Sequence, residues 1–230
     1  MPRVALVTGG SGALGQAIVH RFLREQDTIC VPWIVDAERA RLAASLDEAA
    51  RARVLLERCD VSDDAAMARL ATSVVDKYGR IDVLVTGVGG FAGGALVETD
   101  RATWDRMLAM NLTSAFTAVR AVVPHMLKSG GGRVVMIASR AVLPPAAGFI
   151  GYTVAKAGVI ALMQALAQEM KGHGITINAV APSTMDTPAN RAAMPNVDPK
   201  TWVPVTAVAD AVASLAAESA SHVTGTLLQI

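Results

Sequence analysis

Aromatic side chains are scarce in this 230-residue chain: three Trp, two Tyr and four Phe sit within a hydrophobic fraction of 52%. Ala, Val and Leu must therefore fill the interior, which suits extensive buried strand and helix, with room for buried subunit contacts. Cysteine is nearly absent. Cys30 and Cys59 both lie in strand-like runs and read as small buried hydrophobes in a reducing compartment, not as a disulfide framework. That points to a cytoplasmic protein. The four His are scattered without metal-ligand spacing, so no metal site is expected. No charge of one sign dominates: 21 basic against 20 acidic residues leave a formal charge of +1, and no basic block argues for nucleic acid. No uninterrupted apolar run reaches the ~18 residues of a membrane span. The apolar part of "MPRVALVTGG" is too short for a signal peptide and runs straight into glycines.

Strand-like and helix-like segments alternate from end to end. "RVALVT" is a buried strand ended by glycines, and "ALGQAIVHRFLREQ" carries Leu14, Ile18 and Phe22 at helical spacing. "TICVPW" is a second strand, with Pro32 required at its end. "AERARLAASLDEAA" reads as one charged helix and "RVLLERCD" as a third strand. "SDDAAMARLATSVVDKYG" is a helix with Ser62 as N-cap and Gly79 as terminator. After a fourth strand, "IDVLVTGVGG", a helical region spans Asp100 to Lys128, with Pro124 near its last turns. "GGGRVVMIAS" is a fifth strand, and the helix from Tyr152 closes at Gly172. "ITINAVAPS" is a sixth strand, Asp210 to Glu218 a last helix and "VTGTLLQI" a seventh strand. This alternation predicts an α/β fold: one doubly wound Rossmann domain over residues 1–230, with a mainly parallel seven-stranded sheet and helices on both faces.

Two patterns carry chemistry. Gly10, Gly12 and Gly15 satisfy G-x-G-x-x-G between a strand and a helix, and Thr8-Gly9-x-x-Gly12-x-x-Gly15 is a second register. Such a loop lets backbone N–H groups and a helix N-terminus approach a pyrophosphate. Tyr152 and Lys156 are four apart on a helix and so share a face. A lysine there would lower the phenol's pKa and let it exchange a proton near neutrality. Ser139 ends the fifth strand, thirteen residues before Tyr152, and Asn111 lies forty-one residues before it.

Asn111, Ser139, Tyr152 and Lys156, together with the glycine loop, resemble the short-chain dehydrogenase/reductase family over nearly the whole chain. The resemblance implies hydride transfer between a nicotinamide and a carbonyl or secondary alcohol. Tyr152 would be the acid/base, Ser139 would orient the substrate oxygen, Lys156 would hold the nicotinamide ribose, and Asn111 would position a water. It also implies cofactor contacts from Gly9, Ser11, Gly12, Leu14 and Gly15, from Asp60 and Val61 near the adenine, and from Gly87, Val88 and Gly89 after the fourth strand. Pro182, Thr184 and Thr187 would lie by the nicotinamide, with Thr187 on its carboxamide. The substrate pocket would draw on Phe91, Val142, Leu143, Phe149 and Met185, under a short lid at 187–204. The family commonly assembles as homodimers or homotetramers through the two long crossover helices.

The chain departs from the family at several places. The usual N-N-A-G reads Thr86-Gly87-Val88-Gly89, Ser183 replaces a glycine, and the chain stops at Ile230 before the D-G-G tail. "GGFAGG", "DTPANRAAMP" with Trp202, and "GTLLQI" are similar to quinonoid dihydropteridine reductases, a second reading alongside carbonyl reduction. A third is a dinucleotide-binding regulator without catalysis, which the retained Tyr152 and Lys156 disfavour. The acid that would select NAD(H) at the second strand's end is replaced by Trp33. Asp36 follows three residues later, and Arg39 and Arg41 lie in the next helix, so the lean is to NADP(H) over NAD(H). Trp33 itself either stacks on adenine or packs at the core edge.

Overall fold

The computed structural model describes residues 2–230. In chain order its elements are β1 (Val4–Thr8), α1 (Ala13–Arg24), β2 (Thr28–Trp33), α2 (Asp36–Ser45), α3 (Glu48–Arg51), β3 (Val54–Arg58), α4 (Asp64–Tyr78) and β4 (Val83–Thr86). They continue with α5 (Arg101–Leu108), α6 (Ser114–Ser129), β5 (Gly132–Ile137), α7 (Ile150–Glu169), β6 (Ile175–Ala181), β7 (Met185–Asp186), α8 (Pro188–Ala193), β8 (Val203–Pro204), α9 (Val205–Ala216) and β9 (Leu227–Gln229). Seven strands form one sheet in the order β3-β2-β1-β4-β5-β6-β9, and every pairing is parallel. The strand order reverses between β1 and β4, which opens a crevice at their C-terminal ends.

Alternation within each strand builds two cores. Leu6, Cys30, Leu84 and Met136 point to one face, where Met67, Val122, Met126 and Met163 of α4, α6 and α7 cover them. Ala5, Val7, Ile29 and Val85 point to the other, under Ile18, Phe22, Val208 and Val212 of α1 and α9. Each fully buried large aliphatic contributes roughly 1.5–3 kcal/mol of apolar transfer. The first and last long helices pack on each other, so both ends of the chain share one layer.

Several boundaries differ from the sequence expectation. The charged helix after β2 is two helices, because Leu46 is extended and the Asp47 carboxylate caps a new turn by accepting from Ala50 N at 2.7 Å. The N-cap of α4 is Asp63, accepting from Ala66 N at 2.9 Å, while Ser62 Oγ donates to Asp60 Oδ1 at 2.7 Å. The last helix starts at Val205, directly after Pro204, and ends at Ala216. Pro32 is the penultimate residue of β2, beyond the Thr28–Cys30 stretch that pairs with β1, so its missing N–H interrupts no bond to β1.

The helical run over residues 101–129 contains a π-helical turn, Ala109–Thr113, with Asn111 at its centre. That run and α7 are each long and apolar enough to cross a membrane. Both lie against the sheet: Ala118, Val122 and Met126 of one and Val159, Met163 and Ala167 of the other belong to its core. Their outer faces still carry exposed Phe116, Leu127 and Val154.

Candidate active site

The glycine loop is shaped by what it must pass. Gly9 has φ +69°, and a Cβ there would sit 2.6 Å from the Gly87 carbonyl carbon. A Cβ on Gly15 would collide with the Gly9 carbonyl, and one on Gly10 would meet Val31 at 2.8 Å. At Gly12 the nearest atom is 3.4 Å away, so steric demand is strongest at Gly9, Gly10 and Gly15. Gly12 caps α1 with no side-chain bond, Ala13 opens the helix, and Leu14 packs partly on the α1/α9-side core. The loop's helix therefore begins with its N–H groups free of side-chain competition, a cradle for phosphate. Ser11 is buried and its Oγ donates to Glu38 Oε2 at 3.1 Å, a partner that sequence spacing does not reveal.

At the C-terminal end of β2 a cationic cluster surrounds Trp33. The Arg39 guanidinium lies 5.2 Å from the indole centroid and that of Arg58 lies 6.0 Å from it. Arg58 stands beside Trp33 because the two residues are register partners across β2 and β3. Trp33 Nε1 and Arg39 Nε are both buried without a hydrogen-bond partner among the described residues. Asp36 is exposed at the start of α2. Asp60 is exposed as well, and its Oδ1 accepts from Ser62 N at 2.9 Å; Val61 beside it is buried in the α4/α6-side core.

At the end of β4, Gly87 N donates to Thr8 O at 3.1 Å and to Thr8 Oγ1 at 3.2 Å, tying the two crevice strands together. Val88 packs partly on the core, and a Cβ on Gly89 would come within 2.8 Å of Asn111 Oδ1 and 3.3 Å of Lys156 Nζ. Gly89 thus marks where Asn111 and Lys156 meet under the loop. The Asn111 side chain is almost wholly buried: Nδ2 donates to Gly90 O and Met107 O, both at 3.0 Å, and Oδ1 accepts from Gly90 N at 3.2 Å. Its amide is engaged in clamping the β4 loop to the π-turn.

Lys156 is buried and Nζ donates to Ile137 O at 2.8 Å, the last carbonyl of β5. Burial pulls its pKa down to about 8. Ser139 lies two residues beyond β5, buried, its Oγ accepting from Ala141 N at 3.2 Å. Tyr152, on the first turn of α7, is half-buried. Burial raises its pKa, and hydrogen bonding to Ser139 works weakly the other way. The expected lowering by Lys156 is therefore not what the chain alone provides: desolvation of the phenolate dominates, and Lys156 is directed at the Ile137 carbonyl. Ser139, Tyr152, Lys156 and Asn111 are nonetheless gathered at the crevice end of β4 and β5.

Downstream, Pro182 is buried and its carbonyl accepts from Arg140 N at 3.0 Å, while the exposed Thr184 accepts from Val203 N at 2.8 Å. Thr187 is buried and caps α8, its Oγ1 accepting from Asn190 N at 3.1 Å. β7 pairs with β8, which brings the two ends of the segment between them together. Of the expected pocket residues, Phe91 and Leu143 are exposed and Phe149 is half-buried. Val142 is buried instead, pinned by a bridge to Pro145, and Met185 packs on the α1/α9-side core. The open apolar wall therefore falls to Phe91, Leu143 and Phe149. Among the described residues no group of His, Cys, Asp or Glu could hold a metal ion.

The short chain dehydrogenase family model matches residues 3–198. A (2S)-[(R)-hydroxy(phenyl)methyl]succinyl-CoA dehydrogenase subunit from Thauera aromatica is 40% identical over 81% of this chain and 74% of its own. The 2-(R)-hydroxypropyl-CoM dehydrogenase of Xanthobacter autotrophicus is 34% identical over 99% of this chain and 96% of its own. Among solved structures, levodione reductase superposes with a TM-score of 0.92 at 28% identity, covering 99% and 95% of the two chains. ElxO, solved with NADP bound, gives 0.93 at 26% identity over 100% and 97%. With the glycine cradle and the tyrosine, lysine and serine gathered at the ends of a parallel sheet, this chain belongs to the short-chain dehydrogenase/reductase family and is an NAD(P)-dependent oxidoreductase acting on the alcohol/carbonyl pair.

Proposed function

We propose that the chain interconverts a ketone and a secondary alcohol with NADP(H) as its preferred cofactor. The observation that carries the reaction is the convergence of Ser139, Tyr152 and the buried Lys156 where β4 and β5 end. A bound nicotinamide supplies or accepts the hydride. Gly9, Gly10 and Gly15 let the loop pack against Gly87, Val31 and itself, and the N-terminus of α1 would face a bound pyrophosphate. Ser139 Oγ donates to the substrate oxygen and orients it. Tyr152 Oη gives the proton to that oxygen as the alkoxide forms, a direction its raised pKa favours by keeping the phenol protonated at neutral pH. Lys156, with a pKa near 8, is mostly cationic there and would hold the nicotinamide ribose hydroxyls. Asn111 acts as a positioning residue through Gly90, and Thr187, whose Oγ1 accepts from Asn190 N, would offer its hydroxyl proton to the carboxamide.

The retained Ser139 favours carbonyl chemistry over quinonoid pterin reduction, because a serine is needed where an oxygen must be oriented. Tyr152→Phe tests the assignment: turnover with a panel of ketones falls while NADPH still binds. Near-normal turnover in that variant would sink it.

The cofactor preference rests on the two unpartnered donors, Trp33 Nε1 and Arg39 Nε, beside the Arg39 and Arg58 guanidiniums. The Arg39 and Arg58 guanidiniums would meet a 2′-phosphate, and the nearby carboxylate of Glu38 is held by Ser11 Oγ. The exposed Phe116, Leu127 and Val154 on α6 and α7 support a homo-oligomer built through these helices, which light scattering tests. Cys30, whose thiol burial pushes up to about 12, and the unpaired Cys59 suit a cytoplasmic setting.

A further inference from the structure

Phe91 is a large apolar side chain left 61% exposed next to the reacting tyrosine. Its ring meets Tyr152 edge-on at 5.2 Å between centroids and Phe149 at 4.9 Å with a tilt of 51°. The position is held from both sides. Gly90, its neighbour, exchanges two hydrogen bonds with Asn111, and Gly94 N donates to Gly148 O at 2.8 Å. Glycines make this path possible: a side chain at Gly90 would strike Met110 Sδ, and one at Gly93 would press on the Phe149 ring at 3.3 Å. Between two anchored points the loop presents one aromatic ring, with its free surface beside the Tyr152 ring. Its place beside the Tyr152 ring leaves an aromatic surface free to meet a ligand held there.

Resting on the carbonyl/alcohol reading above, we propose that Phe91, backed by Phe149, is the specificity-determining residue of a ring subsite, and that the substrate carries an aromatic ring on the carbinol or carbonyl carbon. The reacting oxygen must lie at Tyr152 Oη and Ser139 Oγ. A flat group bonded directly to the reacting carbon then lies along the Tyr152 ring, where the exposed surface of Phe91 meets it. Aromatic pairs prefer this offset or edge contact and gain beyond their buried area, whereas a saturated ring of similar size gains the area alone.

The test compares acetophenone with cyclohexyl methyl ketone in the full-length protein with NADPH, for the native chain, Phe91→Leu and Phe91→Trp. The native chain should prefer acetophenone in kcat/KM by about five- to tenfold, mostly through KM. Phe91→Leu should lose the preference, its kcat/KM on acetophenone falling further than on cyclohexyl methyl ketone, with a melting temperature near the native value because an exposed ring supports little of the fold; Phe91→Trp should restore the preference. No preference in the native chain, or one that survives in Phe91→Leu, overturns the ring subsite and leaves carbonyl reduction standing. If neither ketone turns over, saturation-transfer NMR of 1-phenylethanol on the NADP-loaded protein separates the two ideas. Phe91-dependent transfer to the ring protons supports the subsite even though these ketones are not turned over, and no transfer overturns the subsite while the carbonyl reading stands on the Tyr152→Phe test.

Discussion

The two ends of the crevice are built differently. At the nicotinamide end, three of the four catalytic candidates have backbone neighbours: Asn111 with Gly90 and Met107, Lys156 with Ile137, Ser139 with Ala141. Most of those partners are backbone atoms at strand ends or in the π-turn, so the geometry is fixed by the fold. At the adenosine end the contacts are side chain on side chain, Trp33 with Arg39 and Arg58 and Ser11 with Glu38, and two donors are left over. The backbone-held end can keep one chemistry through many sequences. On the reading proposed above, the side-chain end is where single substitutions would change cofactor choice.

The comparison is broken most severely at the nicotinamide end. Tyr152→Phe removes the proton donor without disturbing the α7 backbone, and kcat should fall by about 10²–10⁴-fold. Dinucleotide binding, followed by NADPH fluorescence, should stay near the native value. A parallel loss of binding would mean that Tyr152 holds the cofactor rather than the proton.

Gly9→Val strikes the backbone that joins the two ends. The residue sits at φ +69° and its new Cβ would be driven into the Gly87 peptide. The strain alone costs about 1–3 kcal/mol, so the melting temperature should drop and NADPH binding should be lost. Gly12→Ala, with a nearest contact of 3.4 Å, should melt as the native chain does. Equal damage from both variants would show that the loop's shape is not set by the passage between Gly9 and Gly87.

At the adenosine end, Arg39→Ala should raise the KM for NADPH by about tenfold or more through loss of a charge-assisted contact, leaving the KM for NADH nearly unchanged. Arg58→Ala should do the same to a smaller degree, because its guanidinium lies further from the indole. If both variants treat the two cofactors alike, Glu38 becomes the group that meets the ribose, through its bond to Ser11.

How much of this could be read from the sequence follows the same division. The parallel sheet and the glycine loop were legible because strand alternation and a strand–glycine–helix pattern are local signals. Tyr152 and Lys156 were legible because four residues make one helical turn. Arg58 was not: it reaches Trp33 only through the β2–β3 register, which no local pattern encodes. Glu38 was hidden for the same reason, lying twenty-seven positions from Ser11. Ser62 was expected to cap α4, and Asp63 does so because Ser62 is drawn to Asp60. Asp47 restarted a helix that composition alone joined. Val142 was expected in the pocket with the rest of the loop after the fifth strand, yet the turn to Pro145 buries it.

The smallest expected effect concerns the energetic cost of the well-bonded end. Lys156 has its pKa lowered from 10.5 to about 8 by burial, so the folded state releases its proton more readily than the unfolded chain. Between pH 8 and 10.5 the unfolded state therefore binds more protons, and this lysine's contribution to stability rises with pH across that window. Below pH 8 the buried ammonium is a standing penalty, offset in part by its bond to Ile137 O. Lys156→Met should abolish turnover yet melt at a higher temperature than the native chain at pH 7, by an amount equivalent to about 3 kcal/mol at most. That advantage should shrink steadily as pH rises from 8 toward 10.5, because the native lysine becomes neutral in both states. A variant less stable at every pH would mean that the Nζ–Ile137 bond outweighs the desolvation, so that the nicotinamide end gains stability from its lysine as well as function.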